Sequence, residues 1–330
     1  MARGISRRAF FGTAGLVGLA CLAGCSGNKD QATGGDGTVN TKLVVGTLAT
    51  EDLLPLWVAQ SEKLFEEEGL TVDIVTFQSA TELIAGVASG EVNLAMTDIM
   101  VTASMFASGV DVKMEWVTLG TEASQGRFGI MVGPNSSITS LSDLAGVPIG
   151  VGSNTILEYV MDKLMEGAGI PDDQIVVEEL QKLPVRYQAM ASGETAAAAL
   201  PGTLLALGEA SGCKLIADDT QGDNLSQSVM ISRADQISGS ELEKQVETLK
   251  KVWDKAAKLV NDDPESYREV LIDNANLPTE IADTYPISAY PAVQLPTATM
   301  VDPVLAWMEK KGYLTMPIAY DEKAGTFAAK

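Results

Sequence analysis

Residues 88–98 read Ala-Ser-Gly-Glu-Val-Asn-Leu-Ala-Met-Thr-Asp, and the phrase that opens them returns at 191–203 as Ala-Ser-Gly-Glu-Thr-Ala-Ala-Ala-Ala-Leu-Pro-Gly-Thr. Each copy reads as a helix end, a glycine stop, a short buried strand, a polar loop and a new helix. Gly90 and Gly193 supply the left-handed backbone that ends a helix at no Cβ cost. The apolar runs Val92–Met96 and Thr195–Leu200 have the length of strands buried on both faces. Thr97, and Pro201 at a first helical position, then open helices whose free N–H groups point outward. Ligands of open α/β sheets bind outside the carboxyl ends of such strands. Two matching halves therefore predict two lobes with a ligand between them.

Working outward, composition narrows the function. The 330 residues contain no histidine, which excludes His-based general-base chemistry and Ser–His or Cys–His nucleophiles, and disfavours most zinc and copper sites. No cofactor or metal is expected. With 44 acidic residues against 23 basic ones, the net charge of −21 argues against nucleic acid as a partner.

The first 24 residues read as an export signal. Ser6-Arg7-Arg8-Ala9-Phe10-Phe11 precedes an apolar run to Leu22 that is short for a membrane span. The arginine pair resembles a twin-arginine signal. Leu22-Ala23-Gly24-Cys25 resembles a bacterial lipobox, in which the chain is cut before a cysteine that is then acylated. Cleavage there leaves 20 basic residues against 44 acidic ones, so attachment to an anionic membrane must come from lipid on Cys25. Cys21 is lost with the signal, and Cys213 remains as a lone thiol expected in the core. Residues 25–41 read as a flexible tether.

From Lys42 onward strands and helices alternate, which predicts largely parallel sheets with right-handed crossovers. Strands are expected at 42–47, 72–77, 112–119, 128–132, 147–151, 175–177, 213–217 and 228–232. One helix runs from Pro55 through Phe65 to a stop at Gly69. Ser140 with Asp143, Thr155 with Glu158, and Ser240 with Glu243 fit capping boxes. Leu242, Val246, Leu249, Trp253, Ala256 and Val260 form an amphipathic stripe, and the chain beyond reads as helical. The passages near 128 and 228 divide the chain into lobe I (42–127 and 229–330) and lobe II (128–228), joined by a hinge.

The ordered set "EEEGLTVDIVTF", "SGEVNLAMTD", "SLSDLAGVPIGVGSN" and "LPVRYQAMASGETAAAALPG" resembles the nitrate–sulfonate–taurine class of ABC-transporter substrate-binding proteins over 42–232. The resemblance implies a two-lobe, type II periplasmic-binding-protein-like α/β fold, with parallel or mixed sheets and helices on both faces. It implies a monomer at the outer face of the cell membrane that captures a small polar solute and delivers it to an ABC permease driven by a separate ATPase. A ligand-sensing surface protein acting through a partner receptor is the other reading. A pyrimidine-synthase-like enzyme shares the fold, but its chemistry needs a histidine and a cysteine-rich segment that this chain lacks.

Carried onto this sequence, the family's binding loops are Thr50, Glu51 and Asp52; Ser79; Thr97 and Asp98; Thr121 and Glu122; Ser153, Asn154 and Thr155; and Pro201, Gly202 and Thr203. Helix starts at Thr97, Ser153–Thr155 and Pro201 suit negative oxygens. Each Ser or Thr is either a ligand contact or a plain cap. The acids Glu51, Asp52, Asp98 and Glu122 either face water or meet an ammonium or ring N–H. Leu200 stands where the family often has an acid. Both requirements suit a taurine- or sulfonate-like solute or a pyrimidine-like one better than nitrate.

Overall fold

The structure is a computed structural model that describes residues 42–275 and 277–330. The export signal, Cys25 and the tether lie outside the described residues. In chain order come β1 (Leu43–Leu48), a 3₁₀ turn at Glu51–Leu53, α1 (Leu54–Ser61), α2 (Leu64–Glu67), β2 (Val72–Phe77), α3 (Ala80–Ser89), β3 (Leu94–Asp98), α4 (Ile99–Ala107), β4 (Val112–Leu119) and β5 (Phe128–Val132). They are followed by β6 (Pro148–Val151), α5 (Ile156–Gly167), β7 (Val176–Glu179), α6 (Leu183–Ser192), β8 (Ala197–Pro201), α7 (Gly202–Ala210) and β9 (Lys214–Asp218). The last part holds β10 (Ser228–Arg233), α8 (Ala234–Ile237), α9 (Glu241–Asp262), α10 (Arg268–Ala275), α11 (Thr279–Ala282), α12 (Ala298–Lys311), β11 (Ile318–Asp321) and β12 (Thr326–Ala329).

The strands form two mixed sheets, ordered β11-β12-β4-β10-β3-β1-β2 and β7-β6-β8-β5-β9. Within them the runs β2-β1-β3-β10-β4 and β7-β6-β8-β5-β9 follow one plan. In each, the first three strands are parallel and the fourth is antiparallel to the third. The repeated phrase falls at the same place in both, since it leads into β3 and into β8. Gly90 and Gly193 each cap their helix at φ 82°, and the strands behind them are buried throughout. The internal repeat is thus a repeat of sheet topology.

Side-chain alternation puts helices on both faces of the sheets. In β3, Leu94 and Met96 join Trp57 of α1 and Val246, Leu249 and Trp253 of α9 on one face. Ala95 joins Ile99 and Met105 of α4 and Leu305 of α12 on the other. Trp253 packs 5.6 Å from Trp116 and donates its ring N–H to Pro291 O at 3.0 Å. In β8, Ala197 and Ala199 face α5, while Ala198 and Leu200 face Met190 and Leu205. Cys213 is buried in that last cluster, as expected of a core thiol.

Several local expectations need correction. The helix expected from Pro55 through Phe65 breaks at Lys63, whose φ of 60° separates α1 from α2. Asp98 caps α4, so Thr97 ends the strand instead of opening the helix. Pro201 is the cap of α7, and Gly202 its first residue. Thr155 makes no capping box, because its hydroxyl donates to Gly152 O while Glu158 accepts from Asn154 N. Ser140 and Asp143 do form theirs. At Ser240 the bonds are staggered: Ser240 accepts from Leu242 N, while Glu243 accepts from Gly239 N. The hairpin β11–β12, absent from the helical expectation, extends the first sheet beyond β4.

Candidate functional site

The carboxyl ends of β1 and β3 in one sheet and of β8 in the other converge, with the start of α5, on a single cleft. Thr50, Asp52, Thr97, Asp98 and Pro201, all expected there, line it together with Ser228, which was not. The space between them is about 60 Å³, room for about two waters. Two larger spaces are lined by residues adjacent in the chain to these or shared with them. Glu51, Arg127, Glu209 and Tyr285 line one of about 620 Å³. Gln78, Leu183, Pro201 and Thr203 line another of about 290 Å³.

Helices α5 and α7, which follow β6 and β8 of the second sheet, lack a side-chain cap of their own. Carboxylates from across the cleft stand at both starts. Asp98 Oδ1 accepts from Val101 N at 2.7 Å, capping α4, and its Oδ2 accepts from Ile156 N at 2.9 Å, at the start of α5. Glu51 lies against the start of α7. A Cβ on Gly202 would sit 2.7 Å from Glu51 Oε1 and 2.6 Å from the Tyr285 hydroxyl, so only glycine allows this approach. The loops of the first sheet thus supply carboxylates to helix starts of the second that have no side-chain cap of their own.

The acids differ in how they are held. Tyr285 donates to Glu51 Oε1 at 2.6 Å and Tyr290 to Glu51 O at 2.7 Å. Glu51 Oε2 has no hydrogen-bond partner, although the residue is only 6% exposed. Burial, with help from neighbouring Asp52, lifts the Glu51 carboxyl to about 7 against the bond from Tyr285. Burial also lifts Asp98, to about 6, against the backbone N–H bonds it accepts. Asp52 accepts from the Ser228 hydroxyl. In the wall of the larger cavity Arg127 bonds through each of its three nitrogens, to Glu209 at 2.9 and 3.0 Å and to Asp218 at 2.7 Å.

The remaining expected residues scatter. Ser79 caps α3 by accepting from Glu82 N. Ser153 N–H and hydroxyl both donate to Glu179. Asn154, at φ 59°, donates its side-chain amide to Ser104 at 2.6 Å. Thr121 bonds Gln125 and lines a separate space with Tyr159 and Lys163, while Glu122 is exposed. Glu158, fully buried, is held by Tyr313 at 2.8 Å and Lys311 at 3.1 Å; Lys311 and Trp307 also hold Asp162, tying the tail to α5.

Arg186 was missed. Only 2% exposed, it donates to the carbonyls of Leu180, Ala199 and Gln181 at 2.7, 3.0 and 3.2 Å, and burial lowers it to about 10. The available signal was helical spacing, which puts it on one face with the buried Ala189 and Met190.

The folded chain is similar over most of its length to solved structures of two binding proteins and an enzyme. The alkanesulfonate-binding protein SsuA from Xanthomonas axonopodis pv. citri matches at a TM-score of 0.71 and 18% identity, covering 86% of this chain and 96% of that one. The periplasmic aliphatic sulphonate binding protein SsuA from Escherichia coli matches at 0.68 and 15%, covering 88% and 92%. The desulfurization enzyme DSZB matches at 0.64 and 15%, covering 86% and 96%. These define the class: a two-lobe, periplasmic-binding-protein-like α/β fold. The chain belongs to the NMT1/THI5-like family, whose model matches residues 50–266. A comparison with curated protein sequences finds no match.

Proposed function

We propose that this protein is the solute-binding lipoprotein of an ABC importer, anchored through Cys25 at the outer face of the cell membrane. In this reading it captures a small polar organic solute, taurine- or sulfonate-like or pyrimidine-like, between lobe I (42–127 and 229–330) and lobe II (128–228). It then delivers the solute, as a monomer, to a permease driven by a separate ATPase. One observation carries the reading: three strand ends from two sheets of matching plan meet at one cleft lined by Thr50, Asp52, Thr97, Asp98 and Pro201. The likeness to DSZB leaves chemistry to be argued from the site. Here the thiol Cys213 is buried in a core cluster with Met131 and Leu205, away from the cleft, which supports binding over catalysis.

The test is a thermal-shift screen of the mature chain with sulfonates, taurine, nitrate, pyrimidines and small dicarboxylates, followed by solution scattering. A bound solute at 100 times its Kd should stabilise the fold by about 2.7 kcal/mol and make it more compact. A solute that binds at saturation with no change in scattering sinks lobe closure. Anchoring is tested separately: Cys25→Ser should move the protein out of the membrane fraction, and unchanged partitioning of that variant removes the lipid anchor.

A further inference from the structure

The helix starts that suit a sulfonate already hold carboxylates of this chain. Ile156 N–H is bonded to Asp98, Asn154 N–H to Glu158 and Ser153 N–H to Glu179. Glu51 lies against the first residue of α7. Arg127, the cation lining the larger cavity, has its charge matched by Glu209 and Asp218. An incoming anion would therefore displace internal carboxylates or lie beside Glu51, Asp52 and Asp98 with no free cation in the cavity walls. One group in the same walls is short of a donor. Glu51 is more than nine-tenths buried, lines the 620 Å³ cavity, and leaves Oε2 without a partner. That volume suits a small organic solute.

We infer that the solute is recognised through N–H donors, an ammonium, amidinium or amino-heteroaromatic group bonded to Glu51 Oε2, and that a sulfonate alone is rejected. This rests on the solute-binding reading above and chooses between the ligand classes it leaves open. Asp52 and Asp98 add negative potential from the β1 and β3 ends, and Tyr285 fixes the Glu51 carboxylate by holding its other oxygen.

The experiment titrates the mature chain with benzamidine, 4-aminopyrimidine, taurine and ethanesulfonate by calorimetry, in wild type, Glu51→Gln and Tyr285→Phe. Wild type should bind benzamidine or 4-aminopyrimidine at least tenfold more tightly than ethanesulfonate. Glu51→Gln should lose at least tenfold for the donor probes, and Tyr285→Phe, which keeps the carboxylate but frees its other oxygen, should lose measurably less than Glu51→Gln. Thermal unfolding of both variants establishes that they are folded. Ethanesulfonate binding wild type as tightly as the donor probes overturns the inference and leaves the solute-binding reading standing, as does donor binding that Glu51→Gln does not weaken. If neither these four probes nor the wider screen shifts melting or scattering, the solute-binding reading itself falls.

Discussion

Asp98→Ala is expected to destabilise the protein by about 2–4 kcal/mol and Asp98→Asn by about half as much, with the two amides bonded to Asp98 parting company. Alanine removes both acceptors at once. Val101 N–H then loses a helix cap, and Ile156 N–H is left buried without its partner across the cleft. A lost cap costs about 0.5–2 kcal/mol and an orphaned buried donor about 1–3. Relief of a carboxylate whose burial already lifts it to about 6 offsets part of the sum. Asparagine caps a helix as well as aspartate does, so its carbonyl should stay on Val101 and turn its NH₂ toward the Ile156 donor. Amide hydrogen exchange reads the difference. In Asp98→Asn, Val101 should keep its protection while Ile156 loses it; in Asp98→Ala both should lose it. Undiminished protection of Ile156 in the alanine variant would mean that the tie between Asp98 and the start of α5 does not form in solution.

That tie also marks where sequence reading stops. The repeat at Gly90 and Gly193, the strands behind them and the loops that carry the site are all local signals, because glycine stops, caps and apolar runs act within a few residues. Which acids turn inward is not local. Glu51 and Glu122 sit in similar polar loops, yet Glu51 is buried and Glu122 is exposed. The difference is made by Tyr285, 234 positions away, on an irregular stretch after α11 that carries no periodicity. Asp98 was legible as a strand-end residue but not as a bond to the start of α5, since Ile156 lies 58 positions on. The hairpin β11–β12 was lost for another reason. Its two four-residue strands, joined across Gly325 at φ 72°, are too short to outweigh the helical pattern before them.

A protein without histidine ordinarily changes charge little between pH 5 and 8, so a stability curve that slopes there would report unusual carboxyls. Glu51 and Asp98 supply that slope, joined by Asp162 and Asp219, whose carboxyls burial also lifts. Burial lifts Glu51 to about 7, with Asp52 adding to the rise and Tyr285 opposing it, and burial lifts Asp98 to about 6. Tyr290, the other titratable group on Glu51, donates to its backbone carbonyl. Both carboxyls bind protons more tightly folded than unfolded. Their stabilising contribution is therefore complete below the ordinary carboxylate range and is lost as pH rises through about 6 and then about 7. Carboxyls shifted the other way act elsewhere: Glu115, where Lys250 and Ser232 outweigh burial, costs stability only as pH falls below that ordinary range. Between pH 5.5 and 8.5 the wild-type protein should lose about 2–3 kcal/mol, a fall in Tm of roughly 5–10 °C. Glu51→Gln should remove about 2 kcal/mol of that loss and should melt above wild type at pH 8.5, because it takes an unpaired buried charge out of the fold. A flat wild-type curve, or the same slope in Glu51→Gln, would show that Glu51 is not buried as an acid. The same substitution should strengthen the fold and weaken the hold on donor solutes, which is the behaviour of a charge kept for binding at the expense of stability.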